Sequence, residues 1–282
     1  QQGLAQIGAA LLADTRVTAL GLHIEGIGDL PAFEALAARA RALGKPIVAL
    51  KAGRSALARK AALSHTASLT GSDAGARALL RRLGIAQVDS IPTLLETLKL
   101  LHFAGPLAAA DVVALSSSGG EASLIADCAE TRGVRFPALE PSQTNGLRAA
   151  LGPIVAMANP LDYHTFIWND VDRMAQTFSA ALETRAAIGC LISDFPRADR
   201  CDTSAWDCVF EAGAKAAANS RTPLALVATL PDAMSEDDAA RAIDGGMIPL
   251  LGLEEALGAI EAAAFLGQPR GTPGPVLPPG AP

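Results

Sequence analysis

The feature that most constrains this chain is an alternation. Short runs of Val, Ile and Leu recur between longer Ala-rich stretches suited to helices. Strand candidates are residues 17–24, 46–50, 86–88, 111–115, 154–157, 188–193 and 223–229. Most are followed by a turn residue and then by enough chain for a helix. Strands that are apolar throughout are buried on both faces, and the intervening helices supply the cover, so the expected architecture is α/β, with parallel sheets flanked by helices. Half of the residues are apolar but only 4% are aromatic, a balance that suits helices on a sheet better than an aromatic-rich β-sandwich. No short-period solenoid repeat is present.

At 282 residues the chain can bury two modest cores. A boundary falls near Phe103-Ala104-Gly105-Pro106: the helix candidate at 91–101 closes one α/β unit, and Asp111 opens a fresh strand. The expected domains are 1–106 and 107–267, with the Pro/Gly-rich run 268–282 as a semi-rigid linker. The sequence opens at Gln1 inside a helical segment and closes in that run, so a fragment, or one subunit of a split enzyme, is expected. A formal net charge of −6 gives no basic footprint for nucleic acid. No apolar stretch approaches the roughly 20 residues of a membrane span, and no signal peptide pattern is visible. The cysteines at 128, 190, 201 and 208 lack zinc-site spacing. They are read as free thiols in a reducing cytoplasm, and no metal site is expected.

Ligands of open parallel sheets sit at the strands' C-terminal ends, so the loops there carry the candidate chemistry. After the 46–50 strand comes Lys51-Ala52-Gly53-Arg54-Ser55, and further on Ser64-His65-Thr66-Ala67-Ser68-Leu69-Thr70-Gly71-Ser72-Asp73. Imidazole is partly neutral near pH 7 and is a competent nucleophile toward phosphorus, and His65 lies between hydroxyl residues in a small-residue loop. A loop histidine bonded to backbone, with Ser72 or Asp73 capping the next helix, is the plainer reading of the same residues. Glu25 follows the first strand and is either an exposed loop acid or the carboxylate that orients a catalytic imidazole.

In the second half, Ser116-Ser117-Ser118-Gly119-Gly120-Glu121-Ala122 runs from a strand into a helix, a start whose free amides and dipole favour an anion. It is neither a Walker A loop nor a dinucleotide fingerprint. Glu121 is expected to face away from any phosphate bound there. Asn159-Pro160-Leu161-Asp162-Tyr163-His164 reads first as a turn, with Asp162 and His164 as secondary site candidates.

Taken together, these segments resemble the NDP-forming (ADP-forming) acyl-CoA synthetases, relatives of succinyl-CoA synthetase. The resemblance rests on Ile24-Glu25-Gly26, Lys51 to Ser55, the Ser64 to Gly71 loop, Gly119-Gly120 and Asn159 to Asp162, in that order along nearly the whole chain. It implies two flavodoxin-like, succinyl-CoA-synthetase-like domains, the first incomplete at its N-terminus. It implies that His65 is phosphorylated in turnover with Glu25 as its orienting carboxylate. Ser64, Thr66, Ser118, Gly119 and Gly120 would contact the phosphoryl group.

The implied reaction is carboxylic acid, CoA and ATP to acyl-CoA, ADP and phosphate, reversibly, through acyl phosphate and phosphohistidine. CoA and ATP with Mg would bind mostly on absent CoA-binding and ATP-grasp domains, in the same chain or a partner subunit, with none held tightly here. This chain alone would then be inactive. The implied partners are those domains and a small carboxylic acid, with a homo-oligomer also allowed.

Three departures stand out: Ala67 and Thr70 in the histidine loop, which reduce its mobility, and Ala122, which crowds the helix start. The alternatives are a non-catalytic regulatory ligand-binding module or a subunit-interaction domain of the same fold. Retention of both His65 and Glu25 argues against the first. Tyr163, Phe166 and Trp168 cluster in this aromatic-poor chain, which fits either an aromatic acid substrate or core packing.

Overall fold

The computed structural model describes residues 3–55, 57–58, 73–271 and 273–275. They form two compact units, residues 1–106 with 262–282, and residues 107–261. Both are parallel α/β assemblies, as the strand–helix alternation predicts.

In the first unit, helices α1 (Leu4–Ala13), α2 (Leu30–Ala42), α3 (Asp73–Leu83) and α4 (Ile91–Phe103) accompany strands β1 (Leu20–Ile24), β2 (Ile47–Lys51) and β3 (Ala86–Val88). The sheet order is β1-β2-β3, with Leu20 opposite Ile47 and Val48 opposite Ala86. The central β2 is buried along its whole length, whereas the edge strand β1 alternates buried and exposed residues. Leu12, Phe33, Leu36, Ile47, Ala49 and Leu80 pack the core beneath. Local chemistry sets the helix starts. Asp29 accepts the Ala32 amide at 2.9 Å and Ser90 accepts the Thr93 amide at 3.1 Å, each followed by a proline in the first turn.

The second unit contains β4 (Val112–Ser116), α5 (Gly119–Ala129), α6 (Pro141–Leu151), β5 (Leu161–Asp162), α7 (Val171–Leu182), β6 (Ile188–Ile192), α8 (Asp207–Asn219), β7 (Leu224–Ala228), α9 (Glu236–Asp244) and β8 (Ile248–Leu251). Helix α10 (Leu253–Gly267) begins in this unit, and its last turns belong to the first. The sheet order is β5-β4-β6-β7-β8. Renumbered within the unit this is the 2-1-3-4-5 order of flavodoxin-like folds, whose ligand crevice opens between strands 1 and 3, here β4 and β6. Strands β4, β6 and β7 are buried throughout, as expected of apolar runs covered on both faces.

Three sequence expectations change. Residues 154–157 are not a strand, and Ile154 is 91% exposed. The Asn159 side chain takes the place of strand backbone at that edge: its Nδ2 donates to Val112 O at 2.8 Å, and its Oδ1 accepts the Ala114 amide at 3.0 Å. Backbone pairing resumes only at Leu161–Asp162. Strand β8 is not among the predicted strands, and it forms even though Pro249 interrupts its donor row. The sheet tolerates it because β8 is an edge strand. The start of the run read as a linker is held on the first unit, where Arg82 donates to Gly274 O at 2.8 Å.

Candidate functional site

The C-terminal strand ends of the first unit hold Glu25 and Lys51. Glu25 follows β1 directly and is exposed. Lys51, the last residue of β2, is only 4% exposed. Its ammonium donates to Glu25 O at 2.8 Å and to Ala52 O. Burial pulls the Lys51 pKa down, while the charges of Asp73 and Glu25 hold it up. Beyond Lys51, Arg54 pairs with Asp89, and Arg77 bridges Asp89 at 3.4 Å to Asp73 at 2.9 Å. Arg77 foremost, then the charges of Arg54 and Lys51, hold the Asp73 carboxyl below its ordinary range. Lys51 and Arg54 therefore precede the histidine loop and Asp73 follows it, and this charge network ties the two ends together. His65, Ser64 and Thr66 lie outside the described residues, as do Ala67 and Thr70.

In the second unit, Ser118 caps α5, its Oγ accepting the Glu121 amide at 3.4 Å. No hydrogen bond occupies the Gly119 and Gly120 amides among the described residues, so the candidate anion donors are available. Glu121, expected to face away, turns inward. Its Oε2 accepts the Ser116 hydroxyl at 2.5 Å, and Ser116 Oγ in turn accepts the Ser118 amide at 2.9 Å. The reason is that Ser116, buried at the end of β4, needs an acceptor for its hydroxyl. Burial, opposed by that hydrogen bond and reinforced by Asp194 and Asp162, raises the Glu121 pKa above its ordinary value.

Asp162 was a secondary candidate in the sequence, and the fold brings it to the helix start. A Cβ on Gly119 would lie 2.9 Å from Asp162 Oδ2, so glycine is required there for the carboxylate to sit so close. Asp162 Oδ1 accepts the His164 amide at 2.9 Å, and His164 adopts φ 61° and ψ 168°, a region used almost only by glycine. Asp194, at the end of β6, accepts the Thr229 amide at 2.7 Å and its hydroxyl at 2.5 Å. Sequence reasoning missed Asp194 and Thr229. The signal was there, since Asp194 follows a predicted strand and Thr229 ends one. An anion at the Gly119-Gly120 amides would thus lie close to Asp162, with Glu121 turned inward nearby under the fields of Asp194 and Asp162.

The aromatic cluster divides. Tyr163 is fully buried with its ring edge-on to Phe178 at 5.3 Å, while Phe166 is exposed beneath the Arg173 guanidinium. Core packing accounts for Tyr163. Among the described residues no group of three or more His, Cys, Asp or Glu is placed to hold a metal ion, and no helix is long and apolar enough to cross a membrane.

Two parallel-sheet units with polar loops at their strand ends, the second in flavodoxin order, define a flavodoxin-like α/β protein. Residues 3–101 match the family of succinyl-CoA ligase like flavodoxin domains. The chain is a relative of the ADP-forming CoA ligases and shares their fold. The alpha subunit of acetate–CoA ligase [ADP-forming] II from Pyrococcus furiosus is 37% identical over 153 residues, which are 54% of this chain and 33% of that protein. Trans-feruloyl-CoA synthase FCS1, from an unknown prokaryotic organism, is 29% identical over 189 residues, 67% of this chain and 27% of that one. The chain therefore spans a third or less of these relatives. A dinucleotide forming acetyl-coenzyme A synthetase 1 from Ca. Korarchaeum cryptofilum, solved with phosphate and ADP, superposes with a TM-score of 0.71 at 20% identity. The match covers 94% of this chain and 56% of that one, and shows the shared fold.

Proposed function

We propose that this chain is the phosphoryl-relay region of an NDP-forming acid–CoA ligase. In this reading a carboxylic acid, CoA and ATP give acyl-CoA, ADP and phosphate, reversibly. In the ATP-forming direction, acyl-CoA and phosphate give acyl phosphate and CoA. The His65 imidazole takes the phosphoryl group and releases the acid, and the phosphohistidine passes that group to ADP. The ATP-consuming direction runs the same steps in reverse. CoA and ATP with Mg are substrates of the full enzyme, bound mostly on CoA-binding and ATP-grasp domains in the same chain or a partner subunit.

The observation that carries the proposal is the arrangement at the strand ends of the first unit. Glu25 follows β1 beside buried Lys51, and the charge network from Arg54 to Asp73 brackets the segment containing His65. An imidazole that becomes positive as it attacks phosphorus gains from a carboxylate on its second nitrogen, the role assigned to Glu25. In the second unit, the Gly119 and Gly120 amides behind the Ser118 cap are the candidate partners of the transferred oxygens, together with Ser64 and Thr66 from the histidine loop.

Intact-mass measurement tests this on the full enzyme, with its CoA-binding and nucleotide domains, after incubation with ATP and Mg. A single acid-labile, alkali-stable phosphoryl adduct is expected, absent in His65→Ala and diminished in Glu25→Gln. An adduct that persists in His65→Ala, or none on the unaltered enzyme, would sink the relay and favour a non-catalytic ligand-binding module.

A further inference from the structure

We propose that the first unit carries a separate anion site, at the N-terminal edge of its sheet, for an organic phosphate with an apolar body. This goes beyond the relay reading and is independent of it, because Glu25 and Lys51 lie at the opposite strand ends. A cavity of about 220 Å³ opens there, with Arg41, Lys45 and Arg270 among its polar lining and Ile47, Leu83 and Leu266 among its apolar one. No carboxylate lines it among the described residues. Glu34 belongs to a neighbouring hollow that shares Arg41.

The two arginines converge on one point. A Cβ at Gly84 would stand 3.8 Å from Arg41 Nη2 and 3.7 Å from Arg270 Cδ. Among the described residues, every hydrogen bond these cations make goes to a neutral carbonyl. Arg41 donates to Leu83 O at 2.9 Å, Arg270 to Arg81 O at 3.3 Å and Phe265 O at 2.9 Å, and Lys45 to Leu12 O and Asp14 O at 2.8 and 2.7 Å. The Arg270 guanidinium also lies 3.6 Å over the Phe265 ring.

A plainer account is that these cations only neutralise helix C-termini, and a charge count tests it. The ends of α1, α2, α3 and α10 gather here, each worth about half a negative charge, for about −2 in all. Arg41, Lys45 and Arg270 line the cavity, and Arg81, whose field reaches Arg270, brings the count to four positive charges. Asp14, whose field reaches Lys45, is already engaged by Arg16 at 2.6 Å. The remaining surplus of about +2 matches a phosphate dianion. Burial, then the nearby guanidiniums of Arg81 and Arg41, lowers the Arg270 pKa, the electrostatic cost that a bound anion would remove. Paired guanidinium forks suit phosphate oxygens, and the aliphatic floor suits a base or acyl group.

The test is calorimetric titration of the full chain at low salt with ADP and, separately, with inorganic phosphate. ADP should bind more tightly than phosphate, and Arg41→Gln or Arg270→Gln should each weaken ADP by about tenfold or more. Failure of both probes to bind, or ADP binding undiminished in the double variant, overturns the site. Equal affinity for the two probes overturns the apolar-body part. Should the double variant misfold, protection of Arg41 and Arg270 in the unaltered protein from phenylglyoxal by ADP gives the same decision. Unprotected arginines at saturating ADP would count against the site.

Discussion

Asn159 brings both halves of its carboxamide to β4, and a third bond runs from Nδ2 to Pro137 O at 2.9 Å. Removing them strands the Ala114 amide and the Val112 carbonyl in a strand buried along its length. Asn159→Ala should therefore cost about 2–4 kcal/mol, read as a lower urea midpoint by the fluorescence of Trp168 and Trp206. Asn159→Asp should be at least as damaging near neutral pH, where a carboxylate would face two carbonyls. Recovery in acid is expected, since a protonated carboxyl can donate. An unchanged midpoint in both variants would remove the amide from the account of β4. The dipeptide was visible in the sequence as a turn. Its role as a substitute strand was not, because that depends on which edge of β4 it meets.

Glu121 gives a second prediction at this scale. Its folded pKa is raised, so the native state binds the proton more strongly than the unfolded chain. Its contribution is therefore neutral below the ordinary glutamate value. It becomes destabilising as pH rises through the raised one. Glu121→Gln should flatten that fall, so the variant gains on the native protein from acid to neutral pH. A stability difference independent of pH would mean that Glu121 is not the titrating group.

At the scale of elements, patterning identified most helices and strands because it records burial. Besides the short β5, read as part of a turn, two errors fell where burial and pairing part company. Residues 154–157 are apolar yet unpaired, and β8 is paired despite its proline. Contacts between elements were not legible at all, and Gly146 shows why. In α6 it looks like a defect, since Gly costs about 1 kcal/mol relative to Ala in a helix. Yet a Cβ there would stand 2.8 Å from the Cβ of Ala180 in α7, which has no flexible end to swing aside. Overpacking of this kind costs typically 1–3 kcal/mol, so it outweighs the gain in propensity. Gly146→Ala should be destabilising by up to about 2 kcal/mol in denaturant unfolding, with Gly146→Ala/Ala180→Gly recovering most of the loss. Additive losses in the double variant would mean that the two helices do not meet there.

For the molecule as a whole, the cysteines report how the second unit comes apart. The sequence showed free thiols without zinc-site spacing, but their accessibility follows from the sheet. Cys190 lies in β6, a central strand buried throughout, and burial alone pushes its thiol up to about 12. Cys208 is buried, with its thiol donating to Ala205 O at 3.4 Å, and Cys128 is half-buried beside Glu254. Cys201 is exposed. Because the thiolate is the reactive species, a thiol reagent at neutral pH should modify Cys201 first. Cys190 can react only when β6 leaves the pairs it makes with β4 and β7. In a Cys201→Ser background its labelling should therefore rise steeply with urea and extrapolate to the unfolding free energy of the second unit. Labelling of Cys190 that ignores denaturant would instead require a local opening of the central strand, against a core in which Cys190 and both its flanking residues, Gly189 and Leu191, are buried.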